Sequence, residues 1–421
     1  LPHPTAARWP HAAFHTTCAV VGAGVLGLPA SLARLGPAPG LAALSALGAA
    51  SVYTSWQLAQ LHEHSSGRRL NSYRELGQAA WGARAGWWAV VPVQTTLMVG
   101  LCVTYTVTAA QSLKGAASAE CAGADCATGL APWAAAFGAA QLLLSQVPDF
   151  HSLWWVSAAG AAMSVGYCSV AAGAAVAAAA AGPPPPFAPP PAPAADRFFG
   201  VLNALGSTAF VFGGQVVLPE IQATLARPPP TPRAMMRGVA AAYVVVAAAY
   251  YSVAISGYLA FGAAVQPDVL LSLSEPAAAV AAANLMVVLH VAAAYQVFAM
   301  PVFASLEEWA RARLYKGGDS PRGGRRAWAL RAGLRGGFVL ATTLAAIAVP
   351  FFGELMGLIA AVGLIPITFV IPPLLWLTMR RPKGAERAAN VALAGACSLL
   401  AALALAGSVR NIAVSLAARG G

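Results

Sequence analysis

The chain has 421 residues, of which 58% are hydrophobic and only 9% charged, and its mean hydropathy is +0.66. Soluble domains carry about 25% charged residues, so this composition excludes a globular enzyme and predicts one polytopic membrane domain over residues 1–421. The net charge of +11 does not signal nucleic acid, because no basic patch is interleaved with stacking aromatics.

Eleven apolar segments are predicted to cross the bilayer as helices, centred near Gly24, Ala49, Val99, Leu142, Ala161, Val211, Ala248, Val288, Leu344, Ile365 and Ala401. Most hold the roughly 20 apolar residues a crossing takes. With the N-terminus cytosolic, most of the 25 basic residues fall inside, among them Arg68, Arg69, Arg74, Arg84, Arg233, Arg237, Arg380, Arg381 and Lys383. Arg34, Lys114, Arg197, Arg410 and Arg419 stay outside. That asymmetry is the positive-inside rule, so the basic surplus is topological. The charged stretch from Glu307 to Arg335 is predicted to anchor the chain at the inner lipid surface. The sequence begins at Leu1, so its natural start is expected upstream.

The first segment is interrupted by glycines: Val20-Val21-Gly22-Ala23-Gly24-Val25-Leu26-Gly27-Leu28-Pro29. It also fits the dinucleotide fingerprint G-x-G-x-x-G. Pro29 follows within two residues and no acid stands near Ala46, so a nucleotide-binding unit is rejected. The third segment places Gln94, Met98, Cys102 and Tyr105 on one helical face. In the connection after it, Cys121 and Cys126 stand five apart on the outer side, either as a small disulfide loop or as two free thiols. No metal-ligand cluster is read.

The sixth segment repeats the interruption: Phe210-Val211-Phe212-Gly213-Gly214-Gln215-Val216-Val217-Leu218-Pro219-Glu220. Its glycines sit 190 residues after those of the first, in matching places of the two halves. Two inverted repeats of five helices follow, about 12–181 and 198–379, with one extra helix at about 388–409. A span broken within lipid must satisfy its freed backbone groups on something, and a solute in a protein-lined cavity does so. The half-helix restarting near Leu26 points N–H groups at a carboxylate. Carbonyls left unpaired at Val20 to Gly22 and Phe210 to Phe212 can accept from an ammonium. Together they complement the main chain of an α-amino acid. Glu220, at the end of the second break, and His290, within the eighth segment, are the titratable groups placed to carry a proton.

Several stretches resemble the plant amino acid/auxin permeases, in particular their lysine/histidine-transporter branch. They include the first break itself, Tyr53-Thr54-Ser55-Trp56-Gln57, Tyr73-Arg74-Glu75-Leu76-Gly77-Gln78, Glu220-Ile221-Gln222-Ala223-Thr224, Ala299-Met300-Pro301-Val302-Phe303 and Ile371-Pro372-Pro373-Leu374-Leu375-Trp376. They run in order nearly end to end. The resemblance implies an all-α amino acid–polyamine–organocation (LeuT-like) fold with helices 1 and 6 broken, and proton-driven amino acid uptake at the plasma membrane, or at an internal membrane. It implies no enzyme activity and no cofactor beyond the coupling proton. Carried over by position, Val21, Gly22, Ala23, Gly24, Val25 and Leu26, with Phe210, Phe212, Gly213, Gly214 and Gln215, would contact the substrate backbone beside Gln94 and Met98. The family's second break reads Ala-Gly-His. Gln215 cannot carry a proton, so coupling falls to Glu220 or His290. Relatives carry an acid where this chain has Met98, which favours neutral or broad amino acids over cationic ones. An auxin-like indole carboxylate carrier and a non-transporting amino acid sensor are the alternative readings on the same fold. Oligomeric state is left open.

Overall fold

The computed structural model describes residues 8–63, 69–118, 129–146, 154–188, 191–226, 230–314 and 324–420. Helices α1 (Trp9–Val20) and α2 (Leu28–Leu35) are the halves of the first span, joined through a tight turn at Ala23–Gly27 and bent by 44°. After them come α3 (Pro37–Leu61), α4 (Tyr73–Trp81), α5 (Ala83–Ser118), α6 (Ala131–Leu144) and α7 (Trp154–Ala181). The second half opens with α8 (Ala194–Phe210) and α9 (Leu218–Ala223), joined through Gly213–Val217 and bent by 42°. It continues through α10 (Thr231–Phe261), α11 (Ala277–Leu314), α12 (Arg325–Ala348), α13 (Phe352–Ile359), α14 (Ile371–Met379) and α15 (Gly384–Gly420).

Among the described residues, 7 helices are long and apolar enough to cross a membrane, and the two bent pairs bring the number to 9. Of the eleven predicted crossings, α3 is not among these, and α6 is an apolar helix of only 14 residues. Cys121 and Cys126 lie outside the described residues.

Local sequence explains the elements that shape the centre. The short α4 starts where Ser72 accepts from the Glu75 amide (3.3 Å) and the Glu75 carboxylate accepts from the Asn71 amide (2.7 Å); it ends at Gly82, at φ 87. Its Tyr73 is fully buried and donates to the Ile367 carbonyl at 2.6 Å. That carbonyl lies in a stretch where the span between α13 and α14 widens into π-helical turns, Ala360–Leu364 and Pro366–Val370. Pro372 and Pro373 bring no N–H to the turn before them, and the phenol supplies a donor instead. Burial first, and the neighbouring Glu220 second, push the Tyr73 phenol well above its ordinary range, so it keeps its proton.

The charged stretch predicted as a lipid-surface anchor is partly a packing element. Arg335 is buried on α12, 3.0 Å from Glu307 of α11, and donates to the Ser145 carbonyl at 2.7 Å. Its guanidinium lies 5.2 Å from the centre of the Phe303 ring. One cation thus ties α6, α11 and α12 together.

Candidate functional site where the two broken helices meet

The two breaks lie face to face. A Cβ placed on Gly24 would stand 2.9 Å from the Phe210 ring, and one on Gly214 would collide with the Val20 side chain. Each break therefore keeps a glycine where the other presents a large apolar residue, and a side chain at either position would push them apart. Gly213 likewise makes room for Leu364, 2.8 Å from its Cβ position. Between the breaks runs a narrow cleft lined by Gly22, Ala23, Gly24, Phe210 and Gly213, and closed by Leu101, Tyr105, Phe298 and Leu364. Its free volume for the centre of a water-sized sphere is 20 Å³, room for about one water.

The carbonyls of Val20, Val21, Gly22 and Val211 are not left unpaired, contrary to the sequence expectation. The Tyr250 hydroxyl of α10 reaches both Val20 O (2.7 Å) and Val211 O, one from each break. Val20 O also accepts from the Gly22 amide at 2.9 Å, and Gly22 O from the Val25 amide at 3.3 Å. Ser164 and Tyr167 of α7 donate to Val21 O at 2.8 and 3.5 Å. Protein hydroxyls thus do at rest what a ligand was expected to do. The α-helix resumes at Leu28, not Leu26, because Gly22 to Gly27 form a tighter turn first. Pro29 then sits in the first helical turn, where its missing N–H leaves no bond unmade.

The predicted residues separate into two groups. Gly22, Ala23, Gly24, Phe210 and Gly213 border the cleft, whereas the Val21 carbonyl is turned to Ser164 and Tyr167. Gln94 reaches the second break from α5, donating to Val216 O at 3.4 Å. Val25, Leu26 and Met98 are packed into the core instead. The Phe212 ring turns towards Gly48 of α3 and the Tyr250 ring. Gln215 also faces away: its amide nitrogen contacts Ser51 and Ser55 of α3 (3.2 Å to Ser55 Oγ) and Tyr243 of α10 (3.1 Å). Sequence reasoning missed Tyr250, Ser164 and Tyr167. Ser164 and Tyr167 share a helical face in an alanine-rich span, a signal that was available.

The two titratable residues differ in their connection to the cleft. His290 Nδ1 lies 3.1 Å from Gly160 O and 3.1 Å from Ser164 Oγ. A carbonyl only accepts, so Nδ1 carries the hydrogen and Nε2 is the bare nitrogen; Nε2 is buried with no hydrogen-bond partner among the described residues. Through Ser164 the imidazole is one hydroxyl away from Val21 O. Glu220 sits in α9 close to Tyr73, with a buried Oε2 that has no hydrogen-bond partner among the described residues, and among them no hydrogen bond of its side chain leads to the cleft.

The two sides of the breaks are unequal. Towards the α2 end lies a vestibule of 340 Å³ bordered by Arg34, Asp196, Arg197, Asn203, Ser207 and Glu354, and reaching Gly27. On the other side a polar cluster joins α3, α9 and α10. Arg69 pairs with Glu63 at 3.4 Å and donates to Leu225 O beyond α9 at 3.1 Å; Thr231 donates to Glu63 at 2.7 Å, and Gln222 to Thr231 at 3.1 Å.

The connection between α10 and α11 contributes Pro267 to the vestibule wall. Beside it Asp268 is buried and accepts from the Leu270 amide at 2.9 Å. Burial pushes its carboxyl up to about 6, against that hydrogen bond, which pulls it down. The folded value lies above the unfolded one, so ionisation costs stability: nothing below about 4, more as pH rises through 6, and the full amount above it. Asp268→Asn keeps an acceptor for Leu270 and cannot ionise. It is expected to raise the thermal midpoint at neutral pH, by roughly 3 kcal/mol of stability, with the gain shrinking at pH about 4. Melting curves in detergent at the two pH values check this.

Comparison with known proteins follows the same lines. The sequence profile of the family described as "Transmembrane amino acid transporter protein" matches residues 5–413. Lysine histidine transporter-like 6 and lysine histidine transporter-like 1 of Arabidopsis thaliana are 39% and 38% identical, each over 90% of this chain and over 84% and 82% of their own. Amino acid permease 2 of the same plant is 28% identical over 96% of this chain and 87% of its own. Among solved structures, Mhp1, a nucleobase-cation-symport-1 family transporter in a closed conformation with bromovinylhydantoin bound, aligns over 98% of this chain and 94% of its own. The TM-score is 0.55 at 12% identity. That likeness concerns the fold alone, and it agrees with the expected LeuT-like architecture of an all-α, multi-pass membrane protein.

Proposed function

Because the chain belongs to the transmembrane amino acid transporter family, we propose that it carries amino acids across a membrane by alternating access, with the paired breaks as the binding site. The observation that carries this reading is the Tyr250 hydroxyl standing between Val20 O and Val211 O. A phenol has one proton for two carbonyls. A substrate ammonium brings three N–H donors to the same place and satisfies both. The glycines let it approach the backbone, and the turn at Ala23–Gly27 offers N–H groups to its carboxylate. Among the described residues no acid borders the cleft, which favours neutral or broad substrates over cationic ones.

Transport is coupled to protons, with His290 the carrier and Glu220 second. A proton arriving at Nε2 charges a ring whose other nitrogen is tied through Ser164 to the first break, so binding at the cleft and protonation act on one network. The protein sits in the plasma membrane with its N-terminus inside, which turns the vestibule outward and makes the Glu63–Arg69–Thr231 cluster the inner gate. The repeats fall at about 12–181 and 198–379, with the extra helix at about 388–409.

Uptake of a labelled amino acid panel into transport-deficient cells, at acidic and neutral external pH with sodium replaced, tests the reading. Neutral amino acids are expected to enter, faster in acid and regardless of sodium. His290→Gln is expected to flatten the pH dependence, whereas Glu220→Gln keeps it. Absence of uptake for every amino acid in the panel would overturn the function, and an unchanged pH profile in His290→Gln would overturn the carrier.

A further inference from the structure

We propose that the junction of α4, α5 and α14 is a binding surface for an anionic phospholipid whose headgroup carries a phosphomonoester. A tertiary contact assembles it. The Trp81 indole N–H at the end of α4 donates to Thr378 Oγ1 of α14 at 3.1 Å, and α4 packs on α14. Arg84 stands three residues beyond Trp81, and Arg380, Arg381 and Lys383 stand within five residues of Thr378. Cations from two segments 297 residues apart therefore gather round one hydrogen bond.

These cations lack the partners that other basic residues of the chain have. Arg69, Arg311, Arg335 and Arg410 are each paired with a carboxylate. Arg84, Arg381 and Lys383 are exposed, and their side chains make no ion pair or hydrogen bond among the described residues. Arg380 lies over the Trp376 ring, 5.4 Å from its centre, which stacks the guanidinium and leaves its edge N–H groups for an oxyanion. The acids nearest in sequence are engaged: Glu75 accepts from the Asn71 amide at 2.7 Å, and Glu386 from the Trp376 indole at 2.8 Å. Arg381 holds a left-handed backbone (φ 50) where glycine would sit without strain, so the turn keeps a guanidinium in a conformation that disfavours it.

The surroundings choose a lipid over a soluble anion. Trp87 and Trp88, in the first two turns of α5, are 36% and 64% exposed; Leu374, one turn before Thr378 on the same face of α14, is 38% exposed. Tryptophans of this kind mark headgroup depth, and the apolar surface beside them takes acyl chains. A phosphodiester alone brings one negative charge to four positive ones. A phosphomonoester adds about 1.5 to 2 more, with three acceptor oxygens to reach both segments. The last broken-up span already holds α4 at both ends, through Ile367 O on Tyr73 (2.6 Å) and Thr378 on Trp81, and a headgroup across Arg84 and Arg380 reinforces the second fastening. That the surface faces the inner leaflet rests on the orientation proposed above; the surface itself does not.

The test is native mass spectrometry of the purified full-length protein in detergent, titrated with monophosphorylated phosphatidylinositol, with phosphatidylcholine, or with soluble inositol bisphosphate. The phosphorylated lipid is expected to bind at least about 10-fold more tightly than either of the others. Arg381→Gln combined with Lys383→Gln is expected to weaken it by about 10-fold or more. Arg325→Gln combined with Arg326→Gln, which removes equal charge from exposed positions at the start of α12, is expected to leave it within about twofold. Unchanged thermal midpoints report that both variants are folded. Equal binding of the two lipids would overturn the proposal, and soluble inositol bisphosphate binding as tightly as the lipid would overturn the membrane source. No loss in the first double variant, or equal loss in both, would overturn the location. None of these outcomes involves amino acid uptake, so failure of the carrier reading is seen separately.

Discussion

Tyr250→Phe is expected to lower amino acid uptake by roughly 10- to 100-fold without unfolding the protein. The ring is kept, so the packing of α10 against the Phe212 ring (5.6 Å between centroids) survives. The loss is one hydroxyl, and with it the donor shared by Val20 O and Val211 O. Val20 O keeps the Gly22 amide at 2.9 Å, but Val211 O has no water to turn to, since Val211 is 3% exposed. Leaving a buried acceptor unmet costs about 1–3 kcal/mol, and each 1.4 kcal/mol is a tenfold change. The penalty falls on the closed arrangement of the breaks, through which every transport cycle must pass. Uptake normalised to surface protein measures it, and a rate within about twofold of wild type would show that the phenol only fills space.

Gly24→Ala is expected to reduce uptake by a comparable factor, and Phe210→Leu in the same chain to restore a large part of it. The added methyl would stand 2.9 Å from the Phe210 ring, closer than atoms pack, with Val211 at 3.4 Å behind it. Phe210 is 6% exposed and cannot swing into solvent, so the two breaks must separate or the ring must leave its rotamer. Overpacking of this kind costs about 1–3 kcal/mol. Leucine is shorter where the ring now lies, so the double variant relieves the contact. A double-mutant cycle on uptake isolates the pair: a coupling energy near zero would mean that the two breaks do not touch through these residues.

The breaks could be read from the sequence because glycine and proline in a long apolar run have few other uses in lipid. Their matching positions in the two halves are the basis of the inverted repeats proposed above. What fills the breaks was hidden for a geometric reason. Tyr250, Ser164 and Tyr167 are hydroxyls on other spans, and a helix reveals which way a hydroxyl points only when its rotation about its axis is known. Gln215 failed in the opposite way: it stands beside the second break, yet tight turning at Gly213–Val217 directs its amide to Ser51 and Tyr243. The widening of the span at Ala360–Val370 left little trace beyond Pro366, Pro372 and Pro373, because π-helical turns are not a propensity of any one residue. Arg335 looked like one more basic residue of an inner connection. Its role in joining three helices depends on Glu307 and Ser145, 28 and 190 residues away.

The most direct measurement is a structure determined with a saturating neutral amino acid. Density for the ligand is expected between residues 20–24 and 210–214, its ammonium within hydrogen-bond distance of Val20 O and Val211 O and the Tyr250 hydroxyl displaced from at least one of them. Ligand density away from the two breaks, with the phenol still joining the two carbonyls, would contradict the account.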